Sequence, residues 1–194
     1  HILAYIQLGR RAFREKDYGG AIAFYKTALE YPENYQEGRG VTAREAAVYF
    51  HMAKALEAAG EEREAFAWYE KAAAHQTGRL DESDFYTACA LRRLGKEREA
   101  AALYLSMLDG ADAILKEEDR LPHFGGFVSN LPGEHSIKKA NHRKAHPARF
   151  YALTGLGRKQ EARKEKELAA VWGAEMAWLR LIEEDGGKMG YEGI

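Results

Sequence analysis

The chain has little of what disulfide-linked, membrane-spanning or disordered proteins require. Its 194 residues include one cysteine, Cys89, so no internal disulfide can form, and only 4 prolines interrupt its helical patterns. No apolar run approaches the roughly 18 residues that cross a bilayer as a helix, and no secretory signal peptide is visible. Hydrophobic residues make up 46% of the chain, which is too many for disorder. We expect a folded, cytoplasmic protein.

The chain also lacks an excess of charge of either sign. It carries 29 basic and 30 acidic residues, for a net charge of −1. A global field that would recruit nucleic acid or a membrane surface is therefore absent, and we expect neither as a partner.

The chain starts at His1 without a methionine, and its helical pattern begins there, so we expect it to be a fragment of a longer protein.

One short phrase recurs along the chain. It consists of a glycine-containing turn, charged residues, an alanine and, in the first three copies, an aromatic residue four positions later. The copies occupy residues 17–29, 60–72, 95–104 and, more weakly, 157–162. Glycine allows the chain to turn between two antiparallel helices, and alanine allows those helices to approach closely. We therefore predict that the alanines are buried where helices cross and that the aromatics fill the gaps between repeats: Ala21, Ala65 and Ala100, with Tyr25, Tyr69 and Tyr104.

Helical periodicity flanks each turn and gives the expected domain organisation. Helices are predicted before the turns at about 3–15, 44–59, 83–94 and 142–156, and after them at about 20–30, 63–76, 98–116 and 160–171. A last helix near 174–184 is expected to cap the stack. The predicted domain spans 1–185, with an insertion at about 115–142 and a flexible C-terminal tail at 186–194.

The repeated phrase resembles the tetratricopeptide (TPR) family. The matching residues are Leu8 and Gly9, then Ala21, Tyr25 and Ala28, then Ala65, Tyr69 and Ala72, then Ala100 and Tyr104. The resemblance implies an all-α, right-handed superhelix of about four helical hairpins that binds or holds a protein segment. The family repeats every 34 residues, whereas the equivalent alanines here are 44, 35 and 62 residues apart. Extra residues are expected near 31–41 and 115–142.

A second resemblance concerns the C-terminal part of the chain. The run 124–132, His146 and the run 151–157 look like the C-terminal TPR tail of large bacterial proteins with upstream β-rich, carbohydrate-enzyme-like domains. This likeness implies an alternative function, that of an accessory or assembly domain of such a protein. Upstream domains of the same polypeptide would then be the partners.

Histidines cluster around the expected insertion. His123, His135, His142 and His146 lie close in sequence, and the last two are four apart, a spacing that can bind zinc on a helix. A zinc site needs a third ligand, and the neighbouring cations would repel the metal: Lys138, Lys139, Arg143 and Lys144. We favour packing or exposed histidines, and expect no metal and no cofactor. With Arg149, the same cations could contact phosphate, although a solvated helical face is the favoured interpretation.

Nothing in the sequence predicts catalysis. Cys89 lies mid-helix between alanines, and no serine, histidine and aspartate follow a triad order. The segment Phe124–Phe127 lacks the glycine spacing of a phosphate loop. It is either a recognition loop or, as we favour, an aromatic turn packed on the last repeats within an irregular stretch at 121–134. We therefore expect no enzymatic activity and no catalytic residues.

The TPR resemblance also implies a binding surface. In that family the first helix of each repeat lines a concave groove, and the matching positions here carry five cations, two carboxylates and three phenylalanines. The residues predicted to contact a partner are Arg10, Phe13, Arg14, Phe50, Lys54, Phe85, Arg92 and Arg93. Such a groove suits an extended acidic peptide with hydrophobic side chains. The open alternative is that the cations are ordinary solvated residues and the phenylalanines pack between helices. The family's carboxylate clamp is not reproduced, because its positions are Ile6 and Arg10.

Overall fold

The computed structural model describes residues 2–30, 44–116 and 137–188, together with the backbone of 123–124 and 127–128. The described residues form nine α-helices and one short antiparallel pair of strands, so the fold is all-α. The helices are α1 (Ile2–Arg14), α2 (Tyr18–Leu29), α3 (Glu45–Ala58), α4 (Glu62–Ala74), α5 (Glu82–Arg93), α6 (Glu97–Leu115), α7 (Ile137–Gly155), α8 (Lys159–Val171) and α9 (Met176–Lys188).

The chain divides into two compact units. Unit 1 is His1–Thr77 with Tyr86–Ala100, and unit 2 is Gly78–Phe85 with Ala101–Ile194. In unit 1, α1 pairs with α2 and α3 with α4, while α2 also packs against α3. In unit 2, α7 pairs with α8, and α9 packs against both of them.

Five helix ends close with the same hydrogen bond. In each, a backbone N–H donates to the carbonyl five residues earlier at 2.9 Å, as in a Schellman motif. The donors are Asp17, Glu61, Lys96, Arg158 and Ala174. Four of these closures contain a glycine with positive φ, namely Gly60, Gly95, Gly157 and Gly173. The recurring phrase therefore marks a recurring backbone turn.

The first turn departs from the sequence prediction. Lys16, not a glycine, takes the left-handed conformation there, with a φ of 63°. Gly19 and Gly20 lie inside α2, which begins at Tyr18 and not at Gly20. Asp17 caps this helix by accepting a hydrogen bond from the Gly20 N–H at 2.8 Å.

The predicted alanine and tyrosine positions are confirmed. Ala21, Ala65 and Ala100 are at most 2% exposed. Tyr25, Tyr69 and Tyr104 are at most 4% exposed, and each contacts a neighbouring hairpin. Tyr25 stacks on His51 of α3, and Arg93 of α5 lies over the Tyr69 ring at 5.6 Å from its centroid. Tyr104 lies so close to α7 that a Cβ atom on Gly155 would be 2.2 Å from its ring.

The ends of the expected insertion and tail also differ from the prediction. Helix α7 begins at Ile137, five residues before the predicted start, and includes Pro147. Within the expected irregular stretch, His123–Phe124 pairs with Phe127–Val128. Helix α9 extends to Lys188, past the predicted domain end at 185. The remaining residues of the expected insertion and of the C-terminal tail, and the extra residues near 31–41, lie outside the described residues.

Candidate partner-binding surface

The predicted contact residues fall on the first helices of the hairpins, but not all reach the surface. Arg10, Phe13 and Arg14 lie on α1, Phe50 and Lys54 on α3, and Phe85, Arg92 and Arg93 on α5. Arg14 and Arg93 are exposed, while Arg10, Phe13, Lys54 and Arg92 are half-buried. All of them except Phe85 belong to unit 1.

Two of the phenylalanines are not surface contacts. Phe50 and Phe85 are each 1% exposed. Phe50 packs against Tyr69 and Tyr86 with centroid distances of 5.8 and 5.5 Å. Phe85 packs against Tyr104 and Tyr151 within unit 2. The prediction that these two rings anchor a partner is wrong, because a partner could reach them only by opening the core.

Phe13 and Lys54 do form a surface feature. The Lys54 ammonium lies 5.8 Å from the centroid of Phe13 and 5.8 Å from that of Phe50, so it links α1 and α3. Phe13 also contacts Tyr18 at a centroid distance of 5.4 Å. A half-buried aromatic ring beneath a cation offers an apolar contact and a positive charge at one place.

The cations on α5 are paired with carboxylates. Arg93 Nη2 contacts Glu57 Oε1, and the Tyr69 hydroxyl donates to Glu57 Oε2 at 2.9 Å. Burial, followed by the contact with Glu57, raises the pKa of Tyr69 above the usual range for tyrosine. Arg92 Nε lies 3.1 Å from Glu97 Oε2. Both carboxylates therefore reduce the positive charge that sequence reasoning assigned to this helix.

Five of the predicted contact residues in unit 1 are cations. They are Arg10, Arg14, Lys54, Arg92 and Arg93, and of these Arg92 pairs with Glu97 and Arg93 with Glu57. The other three lie on α1 and α3, the helices joined by the Lys54 contact with Phe13. We call Arg10, Phe13, Arg14 and Lys54 the α1–α3 patch.

A polar chain in unit 2 was missed by sequence reasoning. His142 Nδ1 lies 3.0 Å from His146 Nε2, and His146 Nδ1 lies 2.7 Å from Glu165 Oε2. Glu165 also accepts a hydrogen bond from Arg149 Nε at 2.8 Å, and Arg149 in turn contacts Asp112. Arg149 is therefore part of an ion-pair network and not of a solvated basic face.

His142 occupies the outer end of this chain. Its ring stacks on Trp172 with a centroid distance of 4.1 Å and an interplanar angle of 18°. Burial lowers the pKa of His142, and the neighbouring His146 and Lys138 lower it further. The neutral imidazole is therefore favoured at neutral pH.

A cleft of about 690 Å³ lies among α7, α8 and α9. Phe150, Ala162 and Met176 supply apolar walls, and Lys159 and Arg163 are among the charged residues that line it. Lys166 Nζ contacts Glu183 Oε2 at 2.5 Å from α8 to α9. The cleft thus combines an apolar wall with an ion pair between its helices.

Other candidate chemistry is placed as follows. Cys89 is buried, at 1% exposure. Within residues 2–30, 44–116 and 137–188, no three histidine, cysteine, aspartate or glutamate side chains converge as a metal-binding group. In the same part of the chain, no helix combines the length and hydrophobicity that crossing a membrane requires.

Comparison with protein-family models, with curated proteins and with solved structures gave no match.

Proposed function

We propose that this chain is a protein-interaction module of the TPR type, with its hairpins arranged as a right-handed superhelix. It binds an extended acidic segment of a partner protein at the α1–α3 patch. Three features support the proposal: the five matching helix closures, the small and aromatic residues at the helix crossings, and the pairing of successive helices within each unit.

The observation that carries the binding site is Lys54 above Phe13. The ammonium lies 5.8 Å from the ring centroid, and Arg10 and Arg14 lie on the same helix as Phe13. An acidic side chain of the partner would meet these cations while an adjacent apolar side chain covers the half-buried ring. Desolvating a cation over an aromatic ring strengthens their attraction from about 0.5 to about 2 kcal/mol.

The test uses a short labelled peptide that alternates acidic and aliphatic residues, with fluorescence anisotropy as the readout. The reversal variant combines Arg10→Glu, Arg14→Glu and Lys54→Glu. It leaves Arg92 and Arg93 in place, because their replacement would leave Glu97 and Glu57 without these partners. We expect at least tenfold weaker binding by the variant, and weaker wild-type binding as salt rises from about 0.05 to 0.3 M.

The matched control is Arg63→Glu combined with Arg98→Glu. Both side chains are exposed cations in unit 1, on α4 and α6, which carry no residue of the patch. The control variant should bind as the wild type does, and Phe13→Ala should weaken binding without removing its salt dependence. Equal affinity of the folded reversal variant and the wild type would reject the α1–α3 patch as the binding site.

A further inference from the structure

We propose that His142 and His146 form an open two-histidine site for a late first-row divalent metal ion, with copper(II) or nickel(II) suiting the ring positions best. The two residues are four apart on α7, so both rings project from one face of the helix. Their facing atoms, His142 Nδ1 and His146 Nε2, are 3.0 Å apart. Imidazole nitrogen is a common ligand of copper, nickel and zinc.

Glu165 supplies the support that a metal-binding histidine needs. Its Oε2 atom lies 2.7 Å from His146 Nδ1, and both residues are at most 8% exposed. Arg149 Nε donates to the other carboxylate oxygen and fixes its orientation. Where Glu165 accepts the Nδ1 proton of His146, the atom of that ring that faces His142 is Nε2, which can then offer its lone pair. Carboxylates hold metal-ligating histidines in this way.

The nitrogen separation, which is that of a hydrogen bond between the rings, is also compatible with a shared metal ion. At a metal–nitrogen distance of about 2.0–2.1 Å, two nitrogens 3.0 Å apart subtend about 94° at the metal. This is close to the right angle between neighbouring ligands in square-planar or tetragonal copper(II) and nickel(II) sites. A tetrahedral zinc site would need a separation of about 3.3–3.4 Å at the same bond length. Zinc therefore fits less well unless the rings separate.

The charges near the rings are of both signs. Glu165 contacts His146 and is itself paired with Arg149, whereas the cations of α7, Lys138 among them, lie on the same helix as the two histidines. Metal binding at His142 Nδ1 would displace the proton that bridges the two rings, and that proton would move to Nε2 of the His142 ring. The buried carboxylate and the ring distance thus favour metal binding over the packing role that the sequence favoured.

Trp172 provides a built-in reporter. Its indole stacks on His142 at 4.1 Å, so copper(II) or nickel(II) bound there would quench its fluorescence. The experiment titrates untagged protein with copper(II) or nickel(II) at pH 7.5, by calorimetry and by tryptophan fluorescence. We expect one equivalent to bind with quenching, and magnesium and calcium to produce neither signal, because those ions prefer oxygen ligands. In Trp172→Phe, most of the quenching should disappear while the calorimetric stoichiometry stays at one.

Matched variants assign the ligands. His142→Ala and His146→Ala should each weaken binding at least tenfold, whereas His75→Ala, a half-buried histidine of unit 1, should leave it unchanged. Glu165→Gln should weaken binding by about 10–100-fold. His142 is half-buried, so its variant should fold even where the variants of buried His146 and Glu165 do not. Saturable binding that His142→Ala leaves intact, or the absence of one-to-one binding to the wild type, would overturn the proposal.

Discussion

A close contact between α1 and α2 in unit 1 gives a quantitative prediction about Gly9. A Cβ atom placed on Gly9 would lie 2.3 Å from Tyr25 Cε1 and 2.6 Å from Tyr25 Cζ. Ordinary carbon contacts begin at about 3.5 Å, so the ring would have to retreat by about 1 Å. Tyr25 is only 1% exposed and stacks on His51. The ring therefore has little space to retreat.

Two opposing terms set the size of the effect of Gly9→Ala. Alanine inside a helix is favoured over glycine by about 1 kcal/mol, whereas overpacking a core costs about 1–3 kcal/mol. We expect Gly9→Ala to be near neutral or destabilising, by up to about 2 kcal/mol. Gly110→Ala is the matched control, because Gly110 is also inside a helix but the atom nearest to its Cβ would be the end of the Leu80 side chain, Cδ1, at 2.9 Å. That flexible side chain can move, so this variant should be more stable than Gly9→Ala by about 1–3 kcal/mol.

A double-mutant cycle with Tyr25→Leu isolates the contact. Urea unfolding should show Gly9→Ala to be destabilising or neutral in the wild type but stabilising by up to about 1 kcal/mol once the ring is removed. The coupling energy should be about 1–3 kcal/mol. If Gly9→Ala stabilises both backgrounds equally, Tyr25 is not held against Gly9, and the register of α1 on α2 is wrong.

Three further predictions test other contacts. Ala65→Leu should lower the free energy of unfolding by about 1–3 kcal/mol in denaturant melts, because Ala65 is only 2% exposed and a larger side chain would overpack its surroundings. An unchanged melt would show that the helices do not pack tightly at Ala65. Arg149→Met should cost about 1.5–3 kcal/mol because it removes a charged partner of Glu165, which is 8% exposed, and urea unfolding would measure the loss. The His142 imidazole should titrate below its ordinary pKa of 6.5 by NMR, because burial, His146 and Lys138 disfavour its charged form. On acidification the unfolded chain therefore binds a proton at His142 before the folded chain does. The free energy of unfolding should fall as the pH drops below about 6.5. An NMR titration of His142 with a pKa at or above 6.5 would contradict this prediction.

The sequence predicted the helices and the repeated crossings because these depend on local patterns. Ala65 and Tyr69 are one turn apart on the same face of α4, so their shared burial follows from periodicity. The same reasoning failed for Phe50 and Phe85. A helical position says which way a side chain points, but not whether another helix covers it.

Long-range pairs lay beyond the sequence prediction. Arg93 meets Glu57 across 36 residues, and Arg149 meets Asp112 across 37. Spacing along the chain carries no signal for either pair. Glu165 did leave a signal: it lies between Ala162 and Ala169 on the buried face of α8. A carboxylate on an otherwise apolar helical face predicts a buried partner, and the i, i+4 histidines of α7 were candidates for it.

Because the cations on α5 are paired with carboxylates, the proposed binding surface would distinguish acidic partners by where their charges lie. If all five cations were unpaired, any strongly acidic chain would bind through long-range attraction, with little dependence on sequence. Glu57 and Glu97 instead place negative charge next to Arg93 and Arg92, so an acidic side chain of a partner there would meet a carboxylate as well as a cation. The Lys54 ammonium sits over Phe13, where an acidic residue and a neighbouring apolar residue can both be satisfied. The placement of acidic residues along a partner, more than its total charge, would therefore decide whether it binds.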